Sequence, residues 1–239
     1  MLMRVDPRSI GSIIHITNRG TRGMDIVRDV FDKKNFARTL YYLNDTYTDR
    51  NWRREILGLG MFERPLSWPE REPLTRVLAW TLLSNHFHLL VQEMREGGTA
   101  KLIQRFCGSV SMSFNLKYKE KGSLFQSGYH GKTIDSDAHL SYLAFYILVK
   151  NVLDMYPGGL VAARDHFDDA WEWAKQYQYS SFHDTVSGMP SPIIDVGEDL
   201  IGGILGRGDA YKQEARELLD FHMASHGESF KDLMLEPWQ

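Results

Sequence analysis

The alternation of apolar and polar residues along the chain predicts strands that are separated by helices. Residues 12–17 are β-branched and apolar and are followed by the turn signal Asn18-Arg19-Gly20, which predicts a central strand. Residues 77–83 and 86–92 are two further strand-like runs, and only Ser84 and Asn85 separate them. This short connection predicts a β-hairpin.

Three segments have the apolar spacing of amphipathic helices. The first covers residues 33–44, and the second begins after Gly98. The third follows Asp135-Ser136-Asp137, whose side-chain oxygens suit a helix N-terminus, and it ends before Pro157. The apolar stripes contain Phe36, Leu40 and Leu43 in the first helix, Leu102, Ile103, Phe106, Val110 and Phe114 in the second, and Leu140, Leu143, Ile147 and Leu148 in the third.

The remaining segments define the predicted domain organisation. Residues 45–75 are charged and contain three prolines, so they are expected to form an insertion or long loop. Residues 122–133 are expected to form a loop or a short strand. We place the end of a catalytic domain at residue 159, after the stop signal Pro157-Gly158-Gly159. Residues 160–239 are then an acidic, mostly helical C-terminal extension, with amphipathic stretches at 195–205 and 209–222.

The formal net charge of −3, from 28 basic and 31 acidic residues, gives no reason to expect nucleic acid as a partner. The charge is unevenly distributed, however. Residues 160–239 contain 6 basic and 15 acidic residues, whereas residues 1–159 carry a net charge of +6. Residues 99–133 contain six basic residues, one acidic residue and several aromatic ones, a combination that suits single-stranded nucleic acid.

The single cysteine, Cys107, excludes an internal disulfide and a cysteine-built metal cluster within one chain. The N-terminal residues show no signal-peptide pattern, and no apolar run reaches the length of a membrane span. We therefore expect a cytoplasmic protein, associated with the nucleoid if it binds DNA, and no membrane partner.

The strand at residues 86–92 carries two histidines that suit a metal site. Side chains alternate along a strand, so His86 and His88 point to one face, while Phe87, Leu89 and Val91 point into a core. Two imidazoles on one face can share a cation. Alone, such a pair equally describes a polar strand face.

The third helix carries candidate chemistry on one side. Tyr142, Tyr146 and Lys150 follow one another at intervals of four residues. A tyrosine here is a candidate nucleophile, because a nearby cation can stabilise its anion although an ordinary phenol titrates near 10. The alternative is that both tyrosines pack their rings at a domain interface.

The chain resembles a known family in an ordered series of motifs. The series contains His15-Ile-Thr-Asn-Arg-Gly20, Ser84-Asn-His-Phe-His-Leu-Leu90, Gly122-Ser-Leu-Phe-Gln-Ser-Gly-Tyr129, Asp135-Ser-Asp137 with Tyr146-Ile147, and Tyr177-Gln-Tyr-Ser-Ser181. These motifs resemble those of the REP-associated tyrosine transposases, which belong to the HUH single-strand nucleases. The resemblance extends from about Ile10 to Ala224.

The expected fold class is α+β, with a ferredoxin-like or RRM-like antiparallel sheet, helices packed on it, and the helical C-terminal extension. The resemblance implies that His86 and His88 bind a divalent metal, Mg²⁺ or Mn²⁺. It implies that Tyr146, which stands eleven residues after Asp135, is the nucleophile. The implied enzyme is a single-stranded DNA endonuclease and strand transferase that forms a 5′-phosphotyrosine and a free 3′-hydroxyl.

One position departs from the family pattern. The family continues Tyr-Ile-x-x-Asn-Pro, whereas this chain has Lys150 where the asparagine is expected, followed by Asn151. A charged lysine has no lone pair for a cation. Either Asn151 is the third metal ligand after a small shift in the helix, or two histidines, water and substrate oxygens hold the metal; we favour Asn151.

The resemblance implies a single-stranded DNA partner with a hairpin of the REP type. The residues expected to contact DNA are Arg19, Lys101, Arg105, Lys117, Lys119, Lys121, Phe125, Tyr129, Lys132 and Lys150. The alternative is that the lysines form a solvated helix face and the aromatic residues belong to the core. The sequence leaves open whether the protein is a monomer or a homodimer.

Two other functions compete with the transposase. The first is a hairpin-DNA-binding protein that has lost cleavage, which the lysine at position 150 suggests. The second is a metallohydrolase acting on small molecules. It would require further histidine and aspartate ligands at later strand ends, and the sequence shows no such set.

Overall fold

The structure is a computed structural model that describes residues 9–126, 128–189, 191–194, 200–205 and 208–225. Four antiparallel strands form one sheet in the order β2-β3-β1-β4. The strands are β1 Ile13–Arg19, β2 Thr75–Leu82, β3 His86–Glu93 and β4 His130–Thr133. The helices are α1 Val30–Leu43, α2 Trp52–Glu55, α3 Gly98–Tyr118, α4 Asp137–Phe145, α5 Asn151–Leu153, α6 Gly159–Asp165, α7 Phe167–Gln176, α8 Phe182–Ser187, α9 Leu200–Leu205 and α10 Gly208–Ala224.

The chain runs through these strands as β1-α1-β2-β3-α3-β4, with the short α2 in the segment before β2. This order, together with the strand arrangement in the sheet, is the ferredoxin-like topology, so the predicted α+β fold is confirmed. The predicted hairpin and central strand are also confirmed. Residues 45–74 contain only the four-residue helix α2, as the prolines predicted.

Local sequence signals explain where several helices begin. Asp29 accepts a hydrogen bond from the backbone N–H of Asp32 at the start of α1, and the Ser136 side chain caps α4 in the same way. The start of α3 requires a residue without a side chain, because a Cβ atom on Gly98 would lie 2.4 Å from the Leu74 carbonyl oxygen.

The sheet is covered by apolar side chains on both faces. On one face, α1 and α3 pack against Phe87, Leu89 and Val91 of β3, as the alternation in that strand predicted. On the other face, Leu90 and the β2 residues Leu78 and Ala79 contact a second core. That core contains α4, the segment that follows it, and residues from α6 to α10.

The helix that carries the tyrosines is not a regular α-helix. Between α4 and α5 the chain forms a π-helical turn, Tyr146–Lys150. Thr81 of β2 donates its hydroxyl hydrogen bond to the carbonyl oxygen of Ile147 and so attaches this turn to the sheet. A π turn changes the register of the residues that follow it by one.

The expectation of a one-sided, amphipathic tyrosine helix is wrong. Tyr142, Tyr146 and Lys150 are all buried, at 4%, 0% and 8% exposure. The reason is tertiary packing: the sheet lies on one side of this helix, and helices from residues 160 onward cover the other. Part of the predicted amphipathic stretch at 195–205 lies outside the described residues, whereas α10 matches the stretch at 209–222 closely.

Candidate active site

The histidines of β3 lie side by side on the sheet face that carries the tyrosine helix. The ring centroids of His86 and His88 are 5.0 Å apart. His88 is fully buried, whereas His86 is partly exposed near the strand end. Their placement on one face follows from strand alternation, as the sequence predicted.

Both imidazoles are held by neighbouring polar groups. The Nδ1 atom of His86 lies 2.6 Å from Oδ1 of Asn85, and Nδ1 of His88 lies 3.0 Å from Nε2 of His15. The rings of His15 and His88 are stacked, with centroids 5.3 Å apart and 15° between their planes. Asn85 in turn donates from Nδ2 to the carbonyl oxygen of Gly23.

Tyr146 is the tyrosine that meets the histidines. Its ring centroid lies 5.7 Å from that of His88 in an edge-to-face arrangement. The Nζ atom of Lys150 lies 5.1 Å from the centre of the Tyr146 ring, and it also pairs with Asp154 at 3.6 Å. A positive charge at this place stabilises a phenolate electrostatically. Histidine, tyrosine and lysine thus form one cluster.

The π turn moves Asn151 into the turn that follows Tyr146. The backbone N–H of Asn151 donates to the carbonyl oxygen of Tyr146, a bond that spans five residues instead of the four of an α-helix. Asn151 therefore lies one turn after Tyr146, the place that residue 150 takes in a regular helix. Its side chain is 1% exposed, and its Nδ2 atom makes no hydrogen bond with any described residue.

The second tyrosine has a different partner. The hydroxyl of Tyr142 lies 3.2 Å from Nδ1 of His222, a residue of α10. The His222 ring also lies 6.3 Å from the Tyr146 ring. Burial, followed by the charge of Lys150, lowers the pKa of His222 below its ordinary value and so favours the neutral imidazole.

The donor atoms present fit a small divalent metal site. Within the described residues, no three His, Cys, Asp or Glu side chains form a metal-binding group. The available set is instead two imidazoles and the Asn151 amide. Rotation of the amide by 180° would place Oδ1, which can bind a cation, where the unsatisfied Nδ2 atom now lies. Two histidines and one amide oxygen are acceptable ligands for Mn²⁺ or Mg²⁺.

The residues predicted to contact DNA divide into two groups. Arg19 and Lys132 pair with His86 and His15 in the sheet, so they lie on the histidine face, and Lys150 belongs to the cluster itself. The others lie on α3 or directly after it, in the layer that covers the opposite face. Of these, the exposed cations are Lys101, Lys117, Lys119 and Lys121.

Three of the predicted DNA-contacting residues on α3 or directly after it also make contacts within the fold. Arg105 donates to the Asp45 carbonyl oxygen and to Thr48, and Lys117 pairs with Asp29 and Asp32. Phe125 is 4% exposed and belongs to the core. Tyr129 is partly exposed and lines, with Phe125, a cavity of about 300 Å³ beside α3.

Residues 71–149 match the family model described as "Transposase IS200 like". We call residues 71–149 the IS200-like segment, because this part of the chain is similar to that family. The IS200-like segment contains His86, His88, Tyr142 and Tyr146, and the match ends one residue before Lys150, where the family pattern and this chain differ.

One solved structure is also similar to the chain. The structure of a REP-associated tyrosine transposase bound to a REP hairpin is similar with a TM-score of 0.44 and 14% identity, covering 82% of this chain and 94% of that chain. No curated protein matches the chain. Among the described residues, no helix is both long enough and apolar enough to cross a membrane.

Three residues that contact the candidate site were not predicted as site residues. His15 and Asn85 belong to motifs that the resemblance includes, but only the strand register and the turn show that they touch the two histidines. His222 lies about 80 residues from the tyrosines, and no local pattern in the sequence connects the two.

Proposed function

We propose that this chain is a metal-dependent single-stranded DNA endonuclease and strand transferase with Tyr146 as its nucleophile. The observation that carries the proposal is the cluster of His86, His88 and Tyr146 on one face of the sheet, within the IS200-like segment. The motifs that resemble REP-associated tyrosine transposases support a DNA hairpin of the REP type as substrate.

In this proposal, the phenolic oxygen of Tyr146 attacks the phosphorus of a DNA phosphodiester. A bond forms between the tyrosine oxygen and phosphorus, and the bond from phosphorus to the 3′ oxygen breaks. The phenol gives up its proton, and the departing 3′ oxygen takes one up. The products are a 5′-phosphotyrosine and a 3′-hydroxyl, and attack by another 3′-hydroxyl reverses the step and joins strands.

His86, His88 and Asn151 would hold the metal, Mn²⁺ or Mg²⁺, with imidazole ligands favouring Mn²⁺. When bound, it would polarise a non-bridging phosphate oxygen and offset the charge that grows there. The π turn supports Asn151 as the third ligand, because it brings Asn151 one turn after Tyr146, where the family pattern has its asparagine. Lys150, whose Nζ lies 5.1 Å from the centre of the Tyr146 ring, would stabilise the phenolate.

Arg19 and Lys132 are suited to hold the phosphates next to the cleavage point, because they share the histidine face. Tyr146 is fully buried, so the scissile phosphate reaches the phenol only when covering side chains move. The alternative function, hairpin binding without cleavage, keeps the same DNA surface but does not use Tyr146.

An adduct assay tests the proposal. A labelled single-stranded hairpin with flanking bases, incubated with the protein and Mn²⁺, should become covalently attached. Tyr146→Phe should abolish the adduct and keep hairpin affinity within a few-fold, because only the nucleophilic oxygen is lost. Tyr142→Phe is the matched control and should keep the adduct. Hairpin binding without any adduct would instead support the binding protein.

A metal titration tests the ligand set. Asn151→Ala should weaken Mn²⁺ binding by about ten-fold or more, since it removes one of three protein ligands. Lys150→Ala should leave the Mn²⁺ affinity nearly unchanged and slow adduct formation. If the two variants show the opposite pattern, the register assigned to the π turn is wrong.

A further inference from the structure

Each histidine of the pair has a hydrogen-bonding partner at the same ring atom, Nδ1. For His86 the partner is the Asn85 side chain, and for His88 it is His15. A neutral imidazole has one N–H and one lone pair, on different nitrogens. The partner at Nδ1 therefore decides whether Nε2 is available to a cation.

The hydrogen bond at His86 has a defined direction. Nδ2 of Asn85 lies 3.3 Å from the Gly23 carbonyl oxygen, which can only accept, so this contact fixes the orientation of the amide. Oδ1 of Asn85 then faces His86 and can only accept as well. The proton of His86 is consequently on Nδ1, and the lone pair is on Nε2.

The contact at His88 is buried on both sides. His15 and His88 are both fully buried, and their rings stack at 5.3 Å. His15 pairs with Leu90, two residues from His88, so the two histidines are diagonal neighbours across β1 and β3. Strand register and stacking hold His15 Nε2 against His88 Nδ1.

We propose that Asn85 and His15 are positioning residues that hold both metal-binding histidines in the Nδ1–H tautomer. Each accepts the Nδ1 proton of its neighbour, and both ligands thus present the Nε2 lone pair to one cation. The inference rests on the proposed function, because that proposal identifies His86 and His88 as metal ligands. It adds that Asn85 and His15 hold these two imidazoles ready before the metal binds. Ordered neighbours of this kind raise metal affinity.

The tautomers are measurable without metal, DNA or turnover. Long-range ¹H–¹⁵N spectra of histidine-labelled, metal-free protein distinguish a protonated ring nitrogen from one that carries a lone pair. We expect His86 and His88 both to be protonated at Nδ1, with assignment by His86→Gln and His88→Gln. A proton on Nε2 of His88 at neutral pH would overturn the proposal.

Substitution at position 15 tests the consequence for the metal. His15→Leu removes the acceptor and should weaken Mn²⁺ binding by about 10–100-fold, as measured by electron paramagnetic resonance of free Mn²⁺. His15→Gln supplies a carbonyl oxygen as acceptor and should restore most of the affinity. Equal affinities of the Leu variant and the wild type would also contradict the proposal.

Substitutions at Asn85 and at a histidine far from the site provide the second test and its control. Asn85→Asp keeps the acceptor and should bind Mn²⁺ better than Asn85→Leu does. His166→Leu removes an exposed histidine between α6 and α7 and should leave Mn²⁺ affinity unchanged. Wild-type protein with the expected tautomers and Mn²⁺ affinity but no DNA adduct would refute the proposed function and leave this inference intact.

Discussion

Lys117 and Lys119 stand two residues apart at the end of α3, but their surroundings differ. Lys117 bridges the carboxylates of Asp29 and Asp32 at 2.6 and 2.7 Å and connects α3 to the start of α1. Burial opposes its charge, but the hydrogen bonds to both carboxylates outweigh burial and raise the pKa of Lys117. Lys119 is exposed at the helix end. Only Lys119 is therefore a clean probe of DNA contact.

Charge reversal at the exposed lysines should weaken DNA binding. We expect Lys119→Glu with Lys121→Glu to lower hairpin affinity and to reduce the slope of log affinity against log salt by roughly 0.7 to 0.9 for each lost phosphate contact. Fluorescence anisotropy over a salt series measures both quantities.

The control for this charge reversal is Lys34→Glu, an exposed lysine of α1 outside the predicted DNA-binding set. It should leave the slope unchanged. Lys117→Glu is expected instead to lower the midpoint of urea unfolding, because it places a third carboxylate against Asp29 and Asp32. An unchanged salt slope for the double variant would show that the lysines at the end of α3 do not contact DNA.

At the scale of elements, the π turn depends on a contact from the sheet. Ile147 contributes its carbonyl oxygen to the Thr81 hydroxyl, so a backbone group is satisfied outside the helix. Thr81→Val keeps the shape but leaves this buried carbonyl without a side-chain donor, and it should cost about 1–3 kcal/mol in the free energy of unfolding. Urea denaturation measures the loss.

Thr81→Ser keeps the hydroxyl and is the matched control. It should retain most of the stability that the valine variant loses. The valine variant should also bind Mn²⁺ more weakly, because a loosened turn no longer holds Asn151 one turn after Tyr146. Wild-type stability in Thr81→Val would show that the turn does not need the sheet.

The sequence predicted the strands, α1 and α3 because their apolar periods are local signals. It placed His86 and His88 on one face for the same reason, and it predicted the Ser136 cap. The sequence could not predict the π turn, because the spacing of apolar residues in a helix does not reveal a hydrogen bond that the Ile147 carbonyl accepts from a strand residue 66 positions earlier. The burial of Tyr146 was missed because α10, which follows it by about 60 residues, supplies part of the cover.

At the scale of the whole molecule, the C-terminal helices couple the site to pH through His222. Its neighbours are Tyr142, Phe145, Tyr146, Lys150 and Asp154. Because burial and Lys150 lower its pKa below the ordinary 6.5, the unfolded or undocked imidazole binds a proton more readily than the docked one. Docking of α10 should therefore be strongest above the ordinary pKa and weaken as pH falls through the lowered value.

Hydrogen exchange of the α10 amides tests this coupling. After correction for the intrinsic rate, exchange should be faster at about pH 5 than at pH 7. The reason is that pH 5 lies below the ordinary histidine pKa, where the undocked imidazole is protonated. His222→Gln keeps a hydrogen-bonding group near Tyr142 but cannot titrate, so its corrected exchange should be insensitive to pH over this range. An equal pH response in both proteins would assign the effect to another group.

Residues that follow α7 cover part of one edge of the sheet. Tyr179 and Ser181 exchange backbone hydrogen bonds with Leu82 and Trp80, and Thr81 bridges to Ser180, so a piece of the chain's own backbone lies along the outer edge of β2. An exposed strand edge is a template for pairing with another chain. At the Trp80–Leu82 end of β2 that template is already used. A copy of the molecule that added a strand to this edge would therefore have to avoid residues 80–82.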